Sequence, residues 1–255
     1  MNRINKDNVT ELIKEVLEPE EVNINSLKMQ TTLNPVIWDE RGALRPEIRK
    51  QLLLNARRFI EFCDIESMKY NDIILTGSMA NFNYNATSDI DIHIVLDFDQ
   101  ISDNEEFVRD YFKLKKDLWA NKHDITIKGY DVEIYVQDTD EPHKSTGMYS
   151  LIKNEWIAKP LKKIVNIDTK TVMTKANDIM QAIDELGNIK DNELFYKTYT
   201  KFLHKLKNYR QAGLDTNGEY SVENLVFKIL RNNGYLKKLI DEKNKRIDYE
   251  LTLDQ

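Results

Sequence analysis

The 255-residue sequence holds one cysteine, Cys63, so it can close no internal disulfide and assemble no cysteine metal cluster. Cys63 sits in the apolar run Phe59-Ile60-Glu61-Phe62-Cys63, where a small buried hydrophobe is expected in preference to a reactive thiol. No run of eighteen apolar residues is present, and the first thirty residues are polar without a signal-peptide pattern, so no membrane partner and a cytoplasmic location are expected. Positive charge is not in excess either. A net charge of -6 argues against coating nucleic acid through bulk charge and leaves only a local basic groove open. Internal repeats and low-complexity segments are missing. What is there, 41% apolar and 9% aromatic residues, is the composition of a globular chain. Its length suits one large domain or two small ones.

Taken in order, Asp7 to Leu17 reads as a short helix, with Val9, Leu12, Ile13 and Val16 at helical spacing and Pro19 ending it. From Glu20 to Leu44 no period holds, and extended segments and turns anchored by Trp38 are expected. Pro46 opens a helix whose stripe is Leu52, Leu53, Ala56, Phe59 and Ile60. Asp72 to Thr76 reads as a covered strand, and Ser102 to Glu105 as a capping box ahead of a helix carrying Phe107, Val108, Tyr111, Phe112, Leu118 and Trp119. Lys128-Gly129 marks a hairpin turn between Asp124–Ile127 and Tyr130–Val136. Beyond Pro160 three helices are expected, separated at Gly187-Asn188 and over Gly213 to Gly218. The reading is therefore an α+β half followed by a C-terminal helical bundle, with boundaries at 1–160 and 161–255.

The chain is organised around Leu75-Thr76-Gly77-Ser78 and Ser88-Asp89-Ile90-Asp91-Ile92-His93-Ile94-Val95-Leu96. Strand side chains alternate, so Asp89, Asp91 and His93 share one face while Ile90, Ile92, Ile94 and Leu96 share the other. Two carboxylates two strand rises apart, roughly 6.5–7 Å, can share hard divalent cations. In the later strand, Tyr130, Val132, Ile134 and Val136 alternate with Asp131, Glu133 and Tyr135, so either Asp131 or Glu133 could supply a third carboxylate. Glycine at position 77 would let backbone approach a phosphate, and a helix beginning near Met79-Ala80 would attract anions. His93 reads as a hydrogen-bonding or structural residue of the carboxylate face rather than a ligand.

An apolar strand, Gly77-Ser78, ten residues, Asp89-Ile90-Asp91-Ile92, and the acidic strand Val132-Glu133-Ile134 together resemble the nucleotidyltransferase superfamily that includes DNA polymerase beta. The matching motifs span about Ile73 to Val136. The resemblance implies a nucleotidyltransferase-like mixed sheet with flanking helices and transfer of a nucleoside monophosphate from an NTP, with ATP expected, to an acceptor hydroxyl. The acceptor could be an RNA end, a nucleotide, a small molecule or a protein. Two Mg²⁺ ions, replaceable by Mn²⁺, would be held by Asp89, Asp91 and Glu133, which are also the catalytic residues. Gly77 and Ser78, with Ser88, would contact the triphosphate. Tyr149, just past the acidic strand, and Lys205 on a later helix are further candidates for nucleotide contact. The whole chain, including Leu33 to Asp39 and Glu223 to Lys228, also looks like nucleotidyltransferases of large tailed bacteriophages, which would put it in the host cytoplasm. The competing expectation is a catalytically silent fold of the same kind that binds nucleic acid or protein.

Overall fold

The computed structural model describes residues 29–65, 68–142, 145–162 and 167–253. The helix expected over Asp7 to Leu17 lies outside them. Two compact units divide the chain between Ile167 and Asp168.

In the first unit, α1 (Pro46–Cys63) opens on a proline whose fixed φ suits a first helical turn, and it stops where Asp64 turns left-handed at φ 56°. Its stripe Ile48, Leu52, Ala56, Phe59 and Cys63 is buried. β1 (Asp72–Thr76), β2 (Ile90–Leu96), β3 (Thr126–Ile127), β4 (Tyr130–Asp138), β5 (Met148–Ser150) and β6 (Glu155–Ala158) form a six-stranded sheet in the order β3-β4-β2-β1-β5-β6. Only β2 and β4 run parallel, joined through α2 (Glu105–Lys122) and β3; every other neighbour pair is antiparallel. The expected hairpin is present. Lys128 and Gly129 both have positive φ, 55° and 85°, which is how a two-residue turn matches strand twist. Ile73, Leu75, Ile90, Ile92, Ile94 and Ile134 of the sheet join Leu52, Phe59, Val108 and Phe112 of the two helices in one core.

Two details differ from the sequence expectations. Asn104, and not Ser102, caps α2: its Oδ1 accepts from the Phe107 amide at 3.1 Å, while Ser102 Oγ accepts from the Asn104 amide at 3.2 Å. Asparagine and serine are equal caps, so the motif alone could not choose. Gly147 to Ser150 belongs largely to a strand, β5, which pairs with β1 and turns back as β6 through Asn154 at φ 60°. Both strands are too short to show a period. Among the described residues before α1, 29–45, no named strand is present, and Trp38 anchors this stretch. The Trp38 indole donates to the Met79 carbonyl at 2.8 Å and stacks on Trp156 with ring centroids 4.5 Å apart.

The second unit contains α3 (Thr169–Gly187), α4 (Asn192–Asn217), α5 (Val222–Asn232) and α6 (Tyr235–Leu251). Asp168, Asp191 and Ser221 cap the first three, each side chain accepting from the amide three residues on. The break expected at Gly213 is a correction, because α4 runs through it to Asn217. A Cβ there would lie 2.5 Å from Glu223 Cβ and 2.7 Å from Ser221 Oγ, so this glycine admits α5 rather than stopping a helix. The fourth helix, α6, went unforeseen because Leu239 is its one buried residue and leaves no apolar stripe to read. No helix among the described residues is long and apolar enough to cross a membrane.

Cys63 is fully buried, and burial pushes its thiol up to about 12, the charge of Lys115 offsetting part of the rise. A thiol-specific reagent at mildly alkaline pH is expected to leave native protein unlabelled and to label denatured protein stoichiometrically. Stoichiometric labelling of the native protein would contradict this placement.

Candidate active site

Register decides which acidic residues meet. In the parallel ladder Asp91 stands opposite Glu133, with Ile90 against Val132 and His93 against Tyr135. On its other side Asp91 faces Thr76, the last residue of β1. Adjacent parallel strands lie about 4.8 Å apart, so Asp91 and Glu133 project side by side from one face. Asp89 precedes β2 by one residue, and Asp131 pairs with Thr126 at the sheet edge, exposed. Of the two acids of β4, it is Glu133 that neighbours Asp91.

Gly77 closes the site from the side of β1. Its backbone, φ 73° and ψ -159°, lies in a region that in practice only glycine occupies. A Cβ on it would fall 1.9 Å from Asp91 Oδ2, so the missing side chain is the space that the carboxylate fills. The chain then makes a single 3₁₀ turn, Ser78–Ala80, where the sequence suggested the start of a helix. Met79 and Ala80 are buried and Asn81 turns extended, which ends the turn at once. A three-residue turn supplies no helix dipole to attract an anion.

The hydroxyls of Ser78 and Ser88 are placed together. Ser78 Oγ donates to Ser88 Oγ at 2.9 Å, and Ser88 Oγ also accepts from the Asn85 amide at 3.0 Å, bringing the two ends of the polar excursion side by side. Asn81 ties the loop to a distant segment, and Asn85 bonds within the loop. Asn81 is buried, its amide on Thr146 Oγ1 at 2.6 Å, and Asn85 Oδ1 accepts from the Thr87 amide at 2.8 Å.

Around the carboxylates, Lys116 of α2 places its ammonium 3.1 Å from Glu133 Oε2 and 3.3 Å from the centre of the Tyr135 ring. The Tyr135 hydroxyl donates a short hydrogen bond to the same Glu133 oxygen. Burial first, then that bond and the negative charges of Glu133, Asp91 and Asp89, drive the Tyr135 phenol far above its usual range, so it remains a donor. Further along the face, Gln137 donates through Nε2 to the Glu141 carbonyl at 3.0 Å, which turns its Oε1 toward His93 Nδ1, 2.6 Å away. His93 Nδ1 therefore carries the proton of that bond, in keeping with the hydrogen-bonding role expected for this residue.

Gly77, Ser78, Asp91 and Glu133 thus come together where β1 ends beside β2 and β4, with Ser88 bonded to Ser78 and Asp89 one residue ahead of β2, whereas Tyr149 is not placed there. Tyr149 is 2% exposed, edge-on to Trp38 and Trp156, with its hydroxyl on Asn154 Oδ1 at 3.1 Å. It is a packing residue, which corrects the expectation of nucleotide contact. Lys205 lies on the exposed side of α4 in the helical unit. Sequence reasoning missed Lys116. Nothing in the pattern of α2 separates it from Lys113 or Lys115. Tyr135 was visible by alternation with Glu133, though not its bond.

A hard divalent cation suits the donor set of three carboxylates. Among the described residues, however, no three His, Cys, Asp or Glu side chains stand as a ready ligand group. One oxygen of Glu133 is engaged by Lys116 and Tyr135.

The mixed sheet thus sets carboxylates of two parallel strands beside a Gly-Ser turn. Residues 57–165 match the nucleotidyltransferase domain family, enzymes that use an NTP in group transfer. No curated protein matches the chain. Among solved structures, a STING-associated CdnE c-di-GMP synthase from Capnocytophaga granulosa is similar over 96% of this chain and 94% of that one, at 9% identity and a TM-score of 0.24. A likeness that low carries nothing about substrate or product to this chain.

Replacing Gly77 by alanine is expected to push the Asp91 carboxylate aside and to lower NTP turnover by about a hundredfold or more, with the circular dichroism spectrum kept. A Gly77→Ala protein with wild-type turnover would contradict the placement of Asp91.

Proposed function

We propose that this protein transfers a nucleoside monophosphate from an NTP to an acceptor hydroxyl, releases pyrophosphate, and requires Mg²⁺ or Mn²⁺. The observation that supports this reading best is the register that sets Asp91 beside Glu133, with the backbone of Gly77 closed against the Asp91 carboxylate. In the reaction the acceptor oxygen bonds to the α-phosphorus, the bond from that phosphorus to the oxygen bridging to the β-phosphorus breaks, and the hydroxyl proton leaves to a base.

Each residue has a part. Asp89 and Asp91 would hold the cations, with Glu133 joining them and accepting the acceptor's proton. When bound, divalent cations supply charge neutralisation at the phosphates and acidify the acceptor hydroxyl. Ser78 and Ser88, which now bond to each other, can turn their hydroxyls to the triphosphate. Gly77 admits the phosphates close to the backbone. Tyr135, held protonated, fixes the orientation of Glu133.

The test is pyrophosphate release with each of the four NTPs and Mg²⁺ or Mn²⁺, against a panel of RNA ends, nucleotides and small hydroxyl compounds, with products identified by mass. Release is expected from wild type and reduced at least about a hundredfold in Asp89→Ala and in Asp91→Ala, both folded. Undiminished release by Asp91→Ala would refute the assignment, and the product mass names the acceptor class.

A further inference from the structure

Three carboxylates gathered on one face repel one another and attract any cation within reach. The structure puts one there from within the chain. Lys116 stands on α2, and its ammonium reaches Glu133 Oε2 at 3.1 Å while lying 3.3 Å from the centre of the Tyr135 ring. Its side chain is 26% exposed and that of Glu133 38%, so the pair is half-buried and only partly screened. β3 can cover little of this side, since it pairs only with Tyr130 and Asp131 of β4. Lys116 and Tyr135 both bond to the same oxygen of Glu133, so a cation taking Glu133 through that oxygen has to displace them.

We propose that Lys116 is a positioning residue that acts as a tethered counter-cation: it holds Glu133 while no divalent ion is present and must release it when one binds. The proposal rests on the reading that Asp89, Asp91 and Glu133 hold the cations. It follows that Lys116 sets how tightly the protein takes up metal. A lysine competes with an ion for Glu133 by charge and by occupying its oxygen. Removing it takes one positive charge away from Glu133, which raises the attraction for a divalent ion and lowers the stability of the metal-free protein. Tyr135 competes only for the oxygen and carries no charge, so its loss acts in the same direction and less.

The experiment is calorimetric titration of the full chain with Mn²⁺, without nucleotide, for wild type, Lys116→Met, Lys116→Arg, Tyr135→Phe and Asp89→Ala/Asp91→Ala. Lys116→Met is expected to bind Mn²⁺ about tenfold more tightly, Lys116→Arg to return near the wild-type affinity, and Tyr135→Phe to fall between wild type and Lys116→Met. In wild type, the ε-methylene resonance of Lys116 is expected to shift on adding Mg²⁺, a reading that needs no variant to fold. Equal or weaker Mn²⁺ binding by folded Lys116→Met, or a Lys116 resonance indifferent to Mg²⁺, overturns the counter-cation role while Asp-dependent binding keeps the metal site. Mn²⁺ binding that is absent, or that survives loss of both aspartates, overturns the site reading and this proposal together.

Discussion

Everything at the site depends on one strand pairing, the parallel ladder of β2 with β4. Side chains alternate across a strand, so moving β4 by a single residue would set Val132 or Ile134 opposite Asp91 and turn the acidic residues toward the helices. Ile90, Ile92 and Ile94 are fully buried and Ile134 nearly so, which makes such a slip costly on the apolar side. The core that α1 and α2 build on the sheet thereby aligns the carboxylates on its other face. β1 completes the arrangement by ending at Thr76, opposite Asp91, so that Gly77 arrives where only a residue without a side chain fits.

A face built this way carries an electrostatic debt, since like charges held close raise one another's energy. The protein answers with donors. Tyr135 donates to Glu133, Lys116 brings a full positive charge to the same oxygen, and His93 is fixed by Gln137, which is fixed in turn by the Glu141 carbonyl. These partners sit on β4, on α2 and in the turn after β4. The segment around Trp38 adds support from the other side, its indole on the Met79 carbonyl holding the turn that follows Gly77-Ser78. Of these groups, Tyr135 and Lys116 bond directly to an acid of the site and restrict where it can point.

Much of this was legible in the sequence, because the signals involved are local and periodic. The alternation in β2 and β4, Pro46 at the head of α1 and Lys128-Gly129 in the hairpin each follow from a single-segment rule. The register that prefers Glu133 to Asp131 does not, since both lie on one face of β4 and only pairing with β2 separates them. The same limit explains the misreadings. Tyr149 was judged by its place after the acidic strand, but its surroundings come from Trp38 and Trp156, more than a hundred residues and seven residues away in sequence. Gly213 looked like a break because glycine in a polar stretch is ordinarily one, whereas the close approach of α5 is a tertiary fact. Lys116 was invisible for the same reason: a lysine on a helix declares its partner only once the sheet is in place.

The most direct measurement of the central claim is a crystal structure with Mn²⁺ and a non-hydrolysable NTP analogue, read from the anomalous signal of the metal. The account predicts Mn²⁺ bound between the β2 aspartates and Glu133, with the triphosphate against Gly77 and Ser78. Triphosphate-bound Mn²⁺ elsewhere on the protein, with Asp89, Asp91 and Glu133 left without metal, would contradict it.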